Sequence, residues 1–428
     1  MSFSGASKFA EKGAAMLIRY ELKKIFSKRA NQVILLLLAV LMIHTCASAL
    51  RQVEWVDERG NWITGHAAAV KLQEAEEGWS GKLDQQLLEK TVAELKRRYN
   101  SIEIDDHSQE SNWLLRYQLQ GVQEIGDLLC LSFANDYSTF EEMIENLSPQ
   151  ELSRFYENRV EDRKTWLYGD DTSWGYYNYS QAEKQYILSR TEAMPTPMEI
   201  GYHEGWAQAI GQLPTLLKYG LVLLSFVLAG VFSDEFTWKT DAVYYNSFHG
   251  RTKATAIKVG LGFAIILVFY WLCVGIYSLI VFGSLGSGGA EHILQSHPDN
   301  WSTWENMTFR QLYLLSIGAG CLGYLFIGFL VLWISAKTKS PVLAVLIPPL
   351  LLLLPGFLHE FYSPTMRRVI GILPDKLLDI GEAIRYLYLY TIGDRIMTAV
   401  PILVTVYPCL TILLISLCYR EYRRKQIA

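Results

Sequence analysis

Catalytic signatures are missing from this sequence, and each absence narrows what its 428 residues can do. No Gly-x-x-x-x-Gly-Lys-[Ser/Thr] occurs, so the chain carries no P-loop for a nucleotide. His203-Glu204 opens like a zinc-protease helix, but Gly205-Trp206 follow and the second His is lacking. No Gly-x-Ser-x-Gly elbow is present. The eight histidines are not spaced as a metal cluster, and the expectation is no metal site. Six cysteines include no Cys-x-x-Cys pair. Only Cys130 falls in the polar part of the chain, which excludes a disulfide framework there. Charge is also scarce. Charged residues make up 19% against 50% hydrophobic ones, where soluble domains carry about 25% charged residues. Disordered and collagen-like chains are excluded. Several membrane spans with one sizeable polar portion fit.

The net charge of −4 hides two unlike parts. Residues 51–211 hold 15 Lys+Arg and 29 Asp+Glu, a net −14, while the rest of the chain carries +10. Six apolar runs are long enough to cross a bilayer: 31–50, 213–232, 259–282, 312–334, 341–358 and 397–418. The fifth contains Pro348, Pro349 and Pro355, so it is expected to face protein, where neighbours can satisfy the freed carbonyls. Lys218 is placed to reach the outer interface. None of the six runs contains an acid. Ion-driven pumps need such groups at depth, so any transport must draw its energy from another chain.

Lys and Arg counts orient the spans. The segments before span one, between two and three, between four and five, and after six hold 17 Lys+Arg. The loops 283–311 and 359–396 hold 6, and five acids offset the five cations of the second loop. Both termini are therefore expected in the cytoplasm, with residues 51–211 outside. The first run has no usual cleavage site and reads as a retained anchor.

The outer domain reads as mostly helical. A hairpin turn is expected at Gly60-Asn61, then helices over 66–77, 84–99, 113–129, 149–166 and 181–190. Ser148 with Glu151, and Ser180 with Glu183, have capping-box spacing. The aromatic segment 168–179, with Trp174, Tyr176, Tyr177 and Tyr179, is either a ligand face or domain packing. The acidic surplus is either a cation attractant or a solvated surface.

Two cytoplasmic elements carry more information. In residues 16–30, Ile18, Leu22, Ile25 and Phe26 form one apolar stripe, with Arg19, Lys23, Lys24 and Lys28 mostly off it. This predicts an interfacial amphipathic helix. After span two, Glu235 and Lys239 stand at i, i+4. Lys239-Thr240-Asp241, then Ser247-x-x-Gly250-Arg251-x-Lys253, and Lys258 follow. This pattern resembles the permease subunits of ABC exporters, in particular the Gram-positive branch with a large domain between spans one and two. Asp57-Glu-Arg-Gly-Asn61, Glu183-Lys184 and Gly205-Trp206 resemble that branch as well. Tyr244, Tyr245 and His249 depart from the loop's usual small residues.

The resemblance implies an all-α membrane protein of six transmembrane helices, with a mostly helical extracellular domain inserted between the first two. Its parts would be residues 1–50, 51–211 and 212–428, with a coupling loop at 233–258 and an outer loop at 359–396. Residues 16–30 would be the connecting helix, and 234–250 would hold the coupling helix. Glu235, Lys239, Thr240, Asp241, Arg251 and Lys253 would couple to the ATPase. A substrate path would run along Tyr219, Leu223, Phe226, Pro348 and Pro349. The implied partners are cytoplasmic ABC ATPase subunits, a second permease and membrane lipid, with no nucleic acid. The chain itself would bind no cofactor and catalyse nothing; ATP and Mg would sit on the ATPase. The implied location is the bacterial plasma membrane and the cargo a lipid-like or peptide compound. The competing reading is a membrane-anchored outer domain that binds a ligand and signals without transport. An intramembrane enzyme is a third reading, lacking any acid or His pair at depth.

Overall fold

The computed structural model describes residues 3–101, 109–169, 179–240, 250–357 and 363–424. The chain is mostly helical, with three two-stranded sheets among the described residues. Five helices are long and apolar enough to cross a bilayer: Arg29–Arg51, Glu204–Thr237, Thr252–Leu285, Phe309–Thr338 and Ala399–Arg424. The remaining apolar run forms a shorter helix, Pro341–Phe357, of 17 residues. At 1.5 Å per residue it extends about 26 Å, less than the roughly 30 Å hydrocarbon core. The expected fifth span is thus a short apolar helix, and Pro348 and Pro355 are buried on its inner side.

The Glu204–Thr237 helix is the axis of the bundle. Its apolar stretch is 61% buried, against 28% for Arg29–Arg51 and 22% for Ala399–Arg424. It packs on Phe309–Thr338, Arg29–Arg51, Pro341–Phe357 and Thr255–Leu285. Small residues let these helices approach closely. A Cβ on Gly320 would sit 2.7 Å from Leu217, and one on Gly220 would sit 2.7 Å from the Tyr324 hydroxyl. That hydroxyl donates to the Leu217 carbonyl at 3.0 Å. Tyr277 donates to the Gln208 and Ala209 carbonyls, both at 3.1 Å. Buried hydroxyls in an apolar bundle need such partners. Leu36, Ile43, Val268, Leu279, Leu346 and Ile412 point outward from the bundle.

Between the first two long helices, Leu83, Leu95, Val122, Leu128, Phe155 and Ile200 form a second core joined by Trp301, while Val53, Ala68 and Ala69 pack into the core of the bundle. Local signals build it. The hairpin pairs Glu54–Val56 with Trp62–Thr64. Both capping boxes form, opening Pro149–Leu152 and Gln181–Glu192. Two helices expected to be continuous are broken. The first divides into Gln109–Leu119 and Gln123–Ser132. The break is at Gly121, with φ +82°, where a Cβ would lie 2.8 Å from Ala75. The second divides into Pro149–Leu152 and Phe155–Tyr168. Helix Phe140–Asn146 was not expected from the sequence. Trp174, Tyr176 and Tyr177 lie outside the described residues; Tyr179 donates to the Leu387 carbonyl at 3.0 Å.

Polar contacts fasten this body to the loops between the long helices. The buried Arg159 guanidinium donates to the carbonyls of Trp301, Thr191 and Thr303 at 2.8, 3.2 and 2.6 Å. Arg368 pairs with Glu183 at 3.0 Å. Lys376 lies 3.1 Å from Asp375 and 2.5 Å from Glu382, and Lys218 lies 2.9 Å from Asp379. Two cations of the 359–396 loop, Arg368 and Lys376, are thereby partnered with acids.

Candidate functional site

The first helix, Phe3–Phe26, ends against the bundle. Asn31 and Gln32 on the next helix donate to the Ile25 and Phe26 carbonyls at 2.7 and 3.3 Å, closing groups that the helix end leaves open. Of the expected apolar stripe, Leu22 and Ile25 face the main core, while Ile18 and Phe26 are exposed. This seats Glu21, Lys24 and Lys28 beside the end of Glu204–Thr237, the start of Thr255–Leu285 and the end of Ala399–Arg424.

A buried ionic node results. Lys258, 1% exposed, binds Glu235, 4% exposed. Its ammonium also donates to the Val231 carbonyl at 3.2 Å and lies 3.6 Å from Glu21. Lys24 reaches Glu235 at 2.5 Å, and Lys28 binds Asp234. The Tyr422 hydroxyl donates to the other Glu235 oxygen at 3.3 Å. Lys24 and Lys28 lie over the Trp238 ring at 5.2 and 5.0 Å. Three acids, Glu21, Asp234 and Glu235, thus face three lysines in a formally neutral cluster. Burying charge is costly unless each one is paired, and here four helices supply the pairs.

The loop residues read from the sequence divide between this node and the surface. Glu235 belongs to the node. The i, i+4 pairing with Lys239 does not form, because the helix ends at Thr237 and Lys239 turns to φ +56°. The Thr240 N–H then returns to the Glu235 carbonyl at 2.9 Å. Lys239, Thr240 and Lys253 are exposed. Arg251 lies in the π-turn Gly250–Ala254 that leads into Thr255–Leu285. Asp241, Tyr244, Tyr245 and His249 lie outside the described residues. On the axial helix, Tyr219 and Phe226 are exposed and Leu223 is half-buried. Pro348 is buried and Pro349 half-buried.

At the other end of the axial helix, the structure assembles a cleft that motif spacing did not reveal. Glu124 stands in the first turn of Gln123–Ser132 and His203 immediately precedes Glu204–Thr237. His297 lies between two 3₁₀ turns in the loop before Phe309–Thr338. His203 Nε2 is 3.1 Å from a Glu124 oxygen, and its Nδ1 is 2.8 Å from the Gly201 carbonyl. The ring stacks on Phe309 with centroids 4.6 Å apart. Ligand-type atoms of Glu124, His203 and His297 all lie within 4.8 Å of one another. Glu76, Asp127, Glu204, Asp299 and Arg116 also line this cleft of about 260 Å³.

The cleft's electrostatics are strongly coupled. Burial would lower the His203 pKa, but the Glu124 carboxylate outweighs it and, with Glu204, raises the value to about 9. Burial opposes ionisation of Glu124, yet His203, His297 and His292 hold its pKa below the usual range. Glu76 is pushed to about 9 by burial and then by Glu124. Asp127 rises to about 6 for the same two reasons.

No protein-family model matches this sequence, and no curated protein is significantly similar to it.

Proposed function

We propose that this chain is the membrane-spanning subunit of an ATP-driven exporter, worked by a separate ATPase and paired with a second copy or a related chain. The carrying observation is the buried node. It locks the first helix to the ends of three long helices, and the segment following Thr237 leaves directly from it. The sequence has no P-loop motif, so in this reading the force for transport enters by contact. A rigid, neutral junction beside a polar loop suits that purpose. Exposed Lys239, Thr240 and Lys253 offer the contact surface, and Glu235 anchors it from inside.

In this reading Pro341–Phe357 crosses the membrane as the fifth of six helices and lines the path, beside Tyr219, Leu223 and Phe226. The excess of Lys and Arg around the node end supports a cytoplasmic location for that end and for both termini. Residues 51–211 then lie outside the bacterial plasma membrane. ATP and Mg are bound by the partner, and the cargo is a lipid-like or peptide compound. A ligand sensor without transport is the second reading, favoured by the outer cleft around Glu124.

The test is purification of the full chain from its native membrane, followed by an ATP-hydrolysis assay. Hydrolysis should co-purify. It should fall sharply with Lys239→Glu combined with Lys253→Glu, while the melting temperature stays unchanged. Charge reversal at Glu235 is unsuitable, because it would disrupt the node itself. An absence of co-purifying hydrolysis, or hydrolysis indifferent to the double reversal, would sink the proposal.

A further inference from the structure

We propose that Glu124, His203 and His297 form a binding site for one divalent first-row transition-metal cation of the zinc class. The three residues come from three separate elements, yet their ligand-type atoms lie within 4.8 Å of one another. Zinc ligands sit about 2.0–2.2 Å from the ion, so donors around one ion are up to about 4 Å apart. In tetrahedral geometry the donors stand roughly 3.5 Å apart, so a closure of about 1.3 Å, within the reach of side-chain rotation, completes the set.

The surroundings suit a cation. The Gly201 carbonyl accepts from His203 Nδ1 at 2.8 Å, which turns Nε2 toward Glu124; an arriving cation would displace the Nε2 proton and bind between the two groups. That carbonyl–imidazole arrangement orients metal-bound histidines generally. The Phe309 ring fixes the plane of His203. His297 Nδ1 accepts the Asp299 N–H at 3.1 Å, which orients the ring. Asp127, Glu204 and Asp299 face the same cleft, against Arg116. The balance favours added positive charge. Two imidazoles with one carboxylate favour zinc-type ions over magnesium or calcium, which prefer all-oxygen sets. The fourth position opens to the cleft and takes water. A plain His203–Glu124 ion pair would need neither His297 nor the surrounding acids.

An ion here would join the Gln123–Ser132 helix, the head of the axial helix and the loop before Phe309–Thr338. This inference stands whether or not the chain is a transporter. The test uses the full chain without a polyhistidine tag, purified in detergent and stripped with a chelator. Titration with Co²⁺ should give one equivalent of binding, with visible absorption of a low-coordinate nitrogen–oxygen site. Zn²⁺ should displace it and raise the melting temperature; Mg²⁺ should do neither. His297→Ala and Glu124→Gln should each weaken Co²⁺ binding at least tenfold, whereas Asp162→Asn, elsewhere on the same body, should not. Metal-free melting curves show whether each variant is folded; if one is not, the wild-type stoichiometry and Zn²⁺ stabilisation decide. No saturable one-to-one binding, displacement by Mg²⁺, or unchanged affinity in both folded variants would overturn the site.

Discussion

Replacing Lys258 with Met should destabilise the protein more than its modest change in volume suggests. Lys258 is 1% exposed and Glu235 4%, so neither charge can recover solvation when its partner is removed. Lys258→Met leaves three acids facing Lys24 and Lys28 alone. Glu235→Gln leaves Lys258 with Glu21, 3.6 Å away, as its remaining carboxylate in the node. Breaking a buried pair from one side typically costs about 3–5 kcal/mol. For a chain of this size that corresponds to a fall in melting temperature of roughly 5 °C or more. The double variant should recover much of the loss, because Glu21 and Asp234 still balance Lys24 and Lys28. Replacing a whole buried pair with neutral groups is often close to harmless. The assay is thermal unfolding of the full chain in detergent, across wild type, both single variants and the double. Coupling of at least about 1.5 kcal/mol is expected, in the range found for residues sharing one network. Strictly additive losses, or a Lys258→Met protein as stable as wild type, would refute the node as a cooperative unit.

Two further expectations are independent of the node. A Cβ on Gly205 would lie 1.9 Å from the Gly286 carbonyl oxygen, so Gly205→Ala should cost about 1–3 kcal/mol through overpacking; an unchanged melting temperature would deny that close approach. Glu94 accepts from Arg97 at 2.7 Å and Arg98 at 2.6 Å, and the Arg97 bond chiefly, with that of Arg98, holds its pKa at about 2 against burial's opposing pull. The depressed folded-state value makes this stabilisation complete above the ordinary 4.5 and lost as pH falls toward 2. Glu94→Gln should flatten that part of an acid titration followed by circular dichroism, and identical wild-type and variant curves would contradict it.

What was legible in the sequence follows from how far apart the determining residues lie. Capping at Ser148 and Ser180 needs only a partner three residues on, and both boxes form. Long apolar runs identified five helices, because hydropathy is a sum over neighbours. The break at Gly121 depends on Ala75, packed from another helix, and no local signal contains that. The same holds for Glu235. Its local pattern pointed to Lys239, but the helix ends first, and the actual partners are Lys24, Lys258 and Tyr422. The Glu124–His203–His297 cluster escaped notice because no two of these residues are sequence neighbours, while spacing motifs detect ligands on a single turn or helix. His203-Glu204 held half a signal; the other half lay in separate elements.

The distribution of the Glu235 partners has a consequence for the order in which the chain matures. Lys24 is made 211 residues before Glu235, Lys258 follows Glu235 by 23 residues, and Tyr422 follows it by 187. Until the last of these is inserted, Glu235 lacks a hydroxyl that helps to bury it, and the first helix has an incomplete seat. The node therefore records whether the helices through residue 422 have all arrived. A chain truncated before the final helix should leave this corner hydrated and open, a distinction that quality-control proteases acting at that end of the bundle could read.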